Sequence, residues 1–252
     1  MVIAKERFRA AGIHLGISVC IAALAALLVF AIWYPYPYRE VSGGRDLFLI
    51  VITVDVILGP LITLTVFNRK KSRRELAVDL TFVACVQIAA LAYGLWTVAV
   101  ARPVHLVFEF DRLRVVHAVD IPEELLPLVP AGIDAEPWHG PTLLAVRPFR
   151  NPQEKVDVTL QALQGVQAAA RPDLWQTYDA ARPRILQAAQ PVEALKRKLP
   201  SEAGRIDAAL RRIGRDAPHT SYLPMISRKI AWTAFIDPQT ADVVGFAPLD
   251  SF

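Results

Sequence analysis

Residues 47–67 read LFLIVITVDVILGPLITLTVF, an apolar run with a single charge, Asp55, and one Gly59-Pro60 pair. About 20 predominantly apolar residues in helical conformation cross the roughly 30 Å hydrocarbon layer of a bilayer. The run is too long for a core strand and too apolar for an exposed helix, so it reads as a membrane-spanning helix. Two similar runs flank it: residues 10–38 and 80–101 contain no Asp, Glu, Lys or Arg. Spans are therefore expected at about 12–34, 47–67 and 77–100. They explain why 54% of the 252 residues are hydrophobic and the mean hydropathy is +0.33, against roughly 45–50% apolar residues in ordinary soluble domains. The sequence predicts a membrane protein: a membrane domain, residues 1–101, with three N-terminal transmembrane α-helices, then a water-facing α+β domain, residues 102–252. A purely soluble enzyme and a disordered chain are excluded.

The formal charge of +4 is confined to the first 101 residues, which carry ten basic and six acidic side chains. Residues 102–252 carry eighteen of each. A neutral outer domain has no net field to attract phosphates, so no nucleic-acid partner is expected. The surplus reports topology instead. Lys5, Arg7 and Arg9 precede the first span, and Arg69, Lys70, Lys71, Arg73 and Arg74 lie between the second and third. The first connection has only Arg39 and Arg45, offset by Glu40 and Asp46. Basic residues near span ends stay in the cytoplasm. This predicts a multi-pass membrane protein with a cytoplasmic N-terminus and residues 102–252 outside, in the periplasm if the cell is Gram-negative.

The first span reads as an anchor. Its apolar stretch exceeds the 7–15 residues of a signal-peptide core. It ends in Trp33-Tyr34-Pro35-Tyr36-Pro37-Tyr38, bulky where a signal peptidase needs small residues and suited to an interfacial aromatic belt. Cys20 and Cys85, the two cysteines, both fall within spans and read as small residues packed between helices. The outer domain must then fold without disulfides, which about 150 residues permit.

Beyond Arg102-Pro103 the composition changes, with fifteen of the nineteen prolines after residue 103. Val104, Leu106, Phe108 and Phe110 alternate with His105, Val107, Glu109 and Asp111, as in a strand with two distinct faces. Leu113–Val119 continues it as a bent strand or hairpin, and Thr142–Val146 reads as a further strand. Helices are expected at Ile121–Leu128, Pro152–Ala170, Arg184–Gln190, Val192–Leu199 and Ser201–Ile213, the last with Ser201 as cap and Gly214 as stop. Lys229–Ile236 and Val243–Phe246, joined by a turn at Asp237–Thr240, form a closing hairpin.

Catalytic signatures are missing: no Gly-rich phosphate loop, G-x-S-x-G, HExxH or paired cysteines occur. His105, His117, His139 and His219 lack ligand spacing, although His105 and His117 are placed to share a sheet. Glu123-Glu124 reads as the acidic first turn of a helix. The expectation is a protein that is not an enzyme, with no cofactor and no metal.

Asp55 is the informative charge. A carboxylate inside a span is costly unless paired, hydrated or protonated. Four residues later Gly59-Pro60 removes a helix hydrogen bond and kinks the helix, with Thr53, Thr63 and Thr65 available to the freed backbone. Gln87 on the third span lies at similar depth. Two readings stay open: a structural Asp55–Gln87 hydrogen bond, or a polar notch that receives a group from another transmembrane helix. Asp79 reads as reaching the Arg73/Arg74 cluster or the membrane interface, with His14 as a neighbour.

Several segments together resemble the TfpX/TfpZ family of type IV pilin accessory proteins. They are Arg-Phe-Arg-Ala-Ala-Gly-Ile-His-Leu-Gly-Ile-Ser (residues 7–18), Trp33-Tyr34-Pro35, Asp55-Val56-Ile57-Leu58-Gly59-Pro60-Leu61, Leu91-Ala92-Tyr93-Gly94, Arg102-Pro103, Val107-Phe108 and Asp111-Arg112. The resemblance covers residues 7–118, with weaker echoes at Tyr222-Leu223-Pro224 and 237–245; residues 120–218 lie outside it. It implies a non-catalytic, pilin-specific chaperone in the inner membrane that binds and stabilises the major type IV pilin, promotes pilus assembly and meets the assembly machinery. The pilin's apolar N-terminal helix, with its glutamate, is then the partner expected at Asp55, Gly59, Pro60 and Gln87. Asp111, Arg112 and Tyr222, with Trp138 and Trp175, are the candidate periplasmic contacts. The alternative is a membrane-anchored periplasmic ligand sensor or signalling subunit, which the short cytoplasmic segments disfavour.

Overall fold

The computed structural model describes residues 2–67, 71–228 and 230–252. Arg69 and Lys70 of the basic loop, and Lys229 at the expected start of the last hairpin, lie outside the described residues. The chain forms two compact units, Met1–Ala101 and Arg102–Phe252.

In the first unit α1 (Val2–Leu27) runs into a π-helical segment, Leu28–Trp33. A short α2 (Tyr38–Val41) leads to α3 (Gly44–Thr53), which passes through a π-helical turn (Val54–Leu58) into α4 (Gly59–Val66). The third long helix is α5 (Arg73–Val100). Lys5–Trp33, Gly44–Val66 and Arg73–Val100 are each long and apolar enough to cross a membrane. The third begins four residues before the expected Ala77, and its cap explains why. Ser72 Oγ accepts from Glu75 N at 3.2 Å while Glu75 Oε2 accepts from Ser72 N at 2.8 Å, a reciprocal capping box that satisfies two free N–H groups.

The second helix is central. It packs on both of the others, whereas the first and third make little direct contact. At one end Val29, Trp33, Tyr34, Phe48 and Val98 join all three in one apolar cluster. Tyr34 is fully buried there. Its ring occupies the space that a Cβ on Gly44 would need, and its hydroxyl donates to Val98 O at 3.1 Å. The expected aromatic belt is thus corrected: Trp33, Tyr34 and Tyr38 are buried, and of this group Tyr36 is the exposed one. The cysteine reading is corrected too, since Cys20 and Cys85 are free and exposed, not packed between helices.

The second unit is built on a sheet ordered β4-β3-β1-β2-β6-β7-β8, with β5 paired to β6. Its strands are β1 (Pro103–Glu109), β2 (Arg112–His117), β3 (Thr142–Val146), β4 (Trp175–Thr177), β5 (Gln190–Pro191), β6 (Ser221–Ile226), β7 (Ala231–Ile236) and β8 (Val243–Ala247). The β1–β3 and β2–β6 pairs are parallel and the others antiparallel. Helices α6 (Pro152–Leu163), α7 (Tyr178–Ala188), α8 (Val192–Lys198) and α9 (Ala203–Arg212) complete the unit.

Several expected boundaries move for local reasons. The long helix from Pro152 stops at Leu163 because Gly165 takes φ +104°, a conformation that ends helices and suits glycine. Ile121–Leu128 is a 3-10 segment from Glu123. Ser201 does not cap α9, since it lies in a 3-10 turn, Pro200–Glu202, and Glu202 is the residue before the helix. Every residue of β1 is buried, because α7 and the turn at Ala168–Ala170 both pack on it.

His105 on β1 and His117 on β2 share the sheet but not a site. His117 Nδ1 pairs with Asp120 Oδ2 at 2.9 Å. His105 Nε2–H donates to Ala135 O at 2.9 Å, Nδ1 accepts from the Thr142 hydroxyl at 2.7 Å, and the ring meets Trp175 edge-on at 4.7 Å. Burial pushes the His105 imidazole down to about 4, opposed by its bond to Ala135 and the nearby Asp134. Above pH 6.5 both folded and unfolded states hold it neutral; between 6.5 and about 4 only the unfolded state gains the proton. Stability is therefore lost as pH falls through that window, by about 3 kcal/mol in full. Tryptophan-monitored unfolding of His105→Asn at pH 7 and pH 4.5 checks this: the variant's loss on acidification is smaller than the wild type's.

Candidate functional site

The site starts from the order Asp55-Val-Ile-Leu-Gly59-Pro60. In a π-turn a carbonyl is offered to the N–H five residues on. For Asp55 that residue is Pro60, which has no N–H. The stranded carbonyl takes its donor from the third helix: Gln87 Nε2 donates to Asp55 O at 3.3 Å. Gly59 makes the approach possible, since a Cβ there would overlap the Gln87 carboxamide. Asp55, Gly59, Pro60 and Gln87 thus come together in one local structure.

The Asp55–Gln87 contact differs from the expected pairing of side chains. Gln87 is used by the backbone, and Asp55 Oδ2 is buried without a hydrogen-bond partner among the described residues. The second helix begins at Gly44, so Asp55 lies about 16 Å along it at 1.5 Å per residue. That is the middle of the Gly44–Val66 helix. A carboxylate at the centre of a bilayer costs at least about 2.5–3.5 kcal/mol.

Asp55 lines an open cavity of about 180 Å³ between the first and third helices, together with Ser18, Ile52, Ala84, Gln87 and Leu91. A neighbouring cavity of about 380 Å³ shares His14, Ile17 and Ala84 with it and extends to Ala10 and Leu80. The two form one groove whose floor is the second helix. On the other side Asp55 borders a separate cavity of about 270 Å³, with Val51, Tyr93 and Gly94. His14 Nδ1 is 2.5 Å from Thr63 Oγ1, so His14 neighbours the second helix and not Asp79. Asp79 pairs with Lys71 at 2.5 Å, where Arg73/Arg74 was expected. Thr65 donates to Ile62 O. The groove offers apolar walls and one acceptor lacking a donor, a chemistry suited to binding another apolar helix.

In the second unit Asp111 and Arg112 stand at the β1–β2 turn. Arg112 Nε donates to Asp111 Oδ1 at 2.7 Å, and its guanidinium lies 5.0 Å from the Phe252 ring centre. Beside them Phe110 is 49% exposed at φ +61°, a conformation that strains a bulky residue, and its ring meets Phe149 at 5.5 Å. Its place in an apparent strand alternation concealed this turn position. Tyr222 is corrected: it is 2% exposed, packs in a core with Leu195 and Phe235, and donates to Gln190 Oε1 at 3.0 Å. Trp175 is equally buried, whereas Trp138 is exposed. Among the described residues no three His, Cys, Asp or Glu side chains gather to hold a metal ion.

The family described as fimbrial assembly protein FimB matches residues 3–43, the first long helix through the Tyr34 corner. The fimbrial assembly protein of serogroup I from Dichelobacter nodosus is 33% identical over 254 residues, covering 98% of each chain. The serogroup E1 protein of the same organism is 32% identical over the same share. That of serogroups C1 and C2 is 38% identical over 127 residues, 49% of this chain and 97% of its own. No solved structure matches. By its near-full-length identity to these relatives, the chain belongs to the fimbrial assembly protein family.

Proposed function

We propose that this protein is a non-catalytic accessory protein of the bacterial inner membrane that binds the major type IV pilin, stabilises it and promotes pilus assembly. The three long helices cross the membrane with the N-terminus in the cytoplasm, which puts residues 102–252 in the periplasm. The relatives' names support the assembly role, and the basic segments before the first and third helices support the orientation. The observation that carries the reading is the groove between the first and third helices, lined at mid-depth by Asp55, whose Oδ2 has no hydrogen-bond partner among the described residues. It receives the pilin's apolar N-terminal helix, while the exposed turn at Phe110, Asp111 and Arg112 is available to the pilin head. Binding shifts the pilin toward a protected state by mass action and releases it to the assembly machinery.

Tagged protein, purified in mild detergent from its native cell after in-cell crosslinking, tests this. Stoichiometric major pilin is expected in the eluate, together with lower pilin levels in a deletion strain. Absence of pilin from the crosslinked eluate refutes the reading.

A further inference from the structure

We infer that Asp55 is a selectivity element, which accepts a hydrogen bond from a donor carried at mid-depth by the helix that occupies the groove. This rests on the pilin-helix reading above and adds the chemistry of the guest: an apolar transmembrane helix bearing one hydroxyl, amide, ammonium or protonated carboxyl group. Three observations carry it. Asp55 Oδ2 has no hydrogen-bond partner among the described residues. Gln87 Nε2 donates to the Asp55 main-chain carbonyl and not to its carboxylate. Asp55 lines the groove together with Ser18, in walls that are otherwise mostly aliphatic.

An acceptor in such surroundings destabilises the free protein and is relieved when a guest donates to it. A guest without a donor leaves it unpaired, so purely apolar helices are disfavoured. Recognition through one buried polar group discriminates far better than recognition through aliphatic contact alone.

The consequence is a pair of opposed effects in one variant. Asp55→Leu removes the unpaired acceptor, so the full-length protein in detergent keeps or gains thermal stability, yet it recovers about tenfold less pilin. Asp55→Asn leaves a carbonyl acceptor in place and recovers pilin within about threefold of wild type. If Asp55 were a structural residue, Asp55→Leu would lower the unfolding temperature, and that result overturns the inference. Unchanged pilin recovery in Asp55→Leu overturns it as well.

A photo-crosslinking residue at Ile21, in the groove, is expected to label the pilin helix, and one at Ile50, on the opposite side, to label lipid. Labelling of lipid alone or of a second copy at Ile21 overturns the groove assignment. Where wild type retains pilin but these tests fail, the inference falls and the accessory reading stands; where wild type retains none, both fall.

Discussion

Tyr34→Ala destabilises the three-helix unit by about 3–5 kcal/mol, the cost of emptying a large, fully buried aromatic site. The effect is large because one side chain joins all three helices. It ends the first, its ring fills the space left by Gly44 at the start of the second, and its hydroxyl meets Val98 O on the third. Tyr34→Phe keeps the ring and loses only the hydrogen bond, about 1 kcal/mol. Gly44→Ala drives a methyl group into the ring from the opposite side and costs about 1–3 kcal/mol. Unfolding of the full-length protein by SDS in mixed micelles orders them: Tyr34→Ala lowest, Gly44→Ala next, Tyr34→Phe nearest wild type. Equal midpoints for Tyr34→Ala and Tyr34→Phe would show that the ring does not hold the corner.

Arg114→Ala costs the second unit about 3–5 kcal/mol. Glu109, 4% exposed on β1, accepts from Arg114 Nε at 2.7 Å and from Ala169 N at 3.1 Å. Removing the arginine strands a carboxylate inside the fold. Removing both charges does not, so Glu109→Leu combined with Arg114→Met recovers most of the loss. Urea unfolding of the full-length variants in mild detergent measures the difference as a shift in midpoint at unchanged slope. A double variant less stable than Arg114→Ala would place the energy in the Ala169 contact and not in the ion pair.

The long helices were legible because apolar length is a one-dimensional signal, needing no knowledge of the neighbours. Their ends were less so. The Ser72-Arg73-Arg74-Glu75 capping box was present in the residues but lay among basic side chains that drew a topological reading. Asp55, Gly59, Pro60 and Gln87 stand out by type and depth, and the structure brings all four together. Which atom of Asp55 meets Gln87 could not be read, because it depends on the π-turn register that Pro60 imposes. Strand β6 escaped notice because Pro224 sits within it, and proline argues against a central strand. Here β6 pairs with β2 over only two residue pairs, Leu113–Met225 and Arg114–Ile226, so the missing donor is tolerated. Tyr222 misled for the ordinary reason that an aromatic does not declare from sequence whether it faces core or solvent.

The scant contact between the first and third helices gives this unit the mechanics of tongs. The Tyr34 corner is the pivot, and the limbs beyond it are held apart by the second helix without gripping one another. Each limb stays packed on the second helix, so that helix, and not contact between the limbs, sets the width of the opening. A ligand clasped between them links directly two segments that, beyond the corner, are otherwise joined through the second helix. Amide exchange in both limbs then slows together on occupancy, while the pivot, rigid already, scarcely changes.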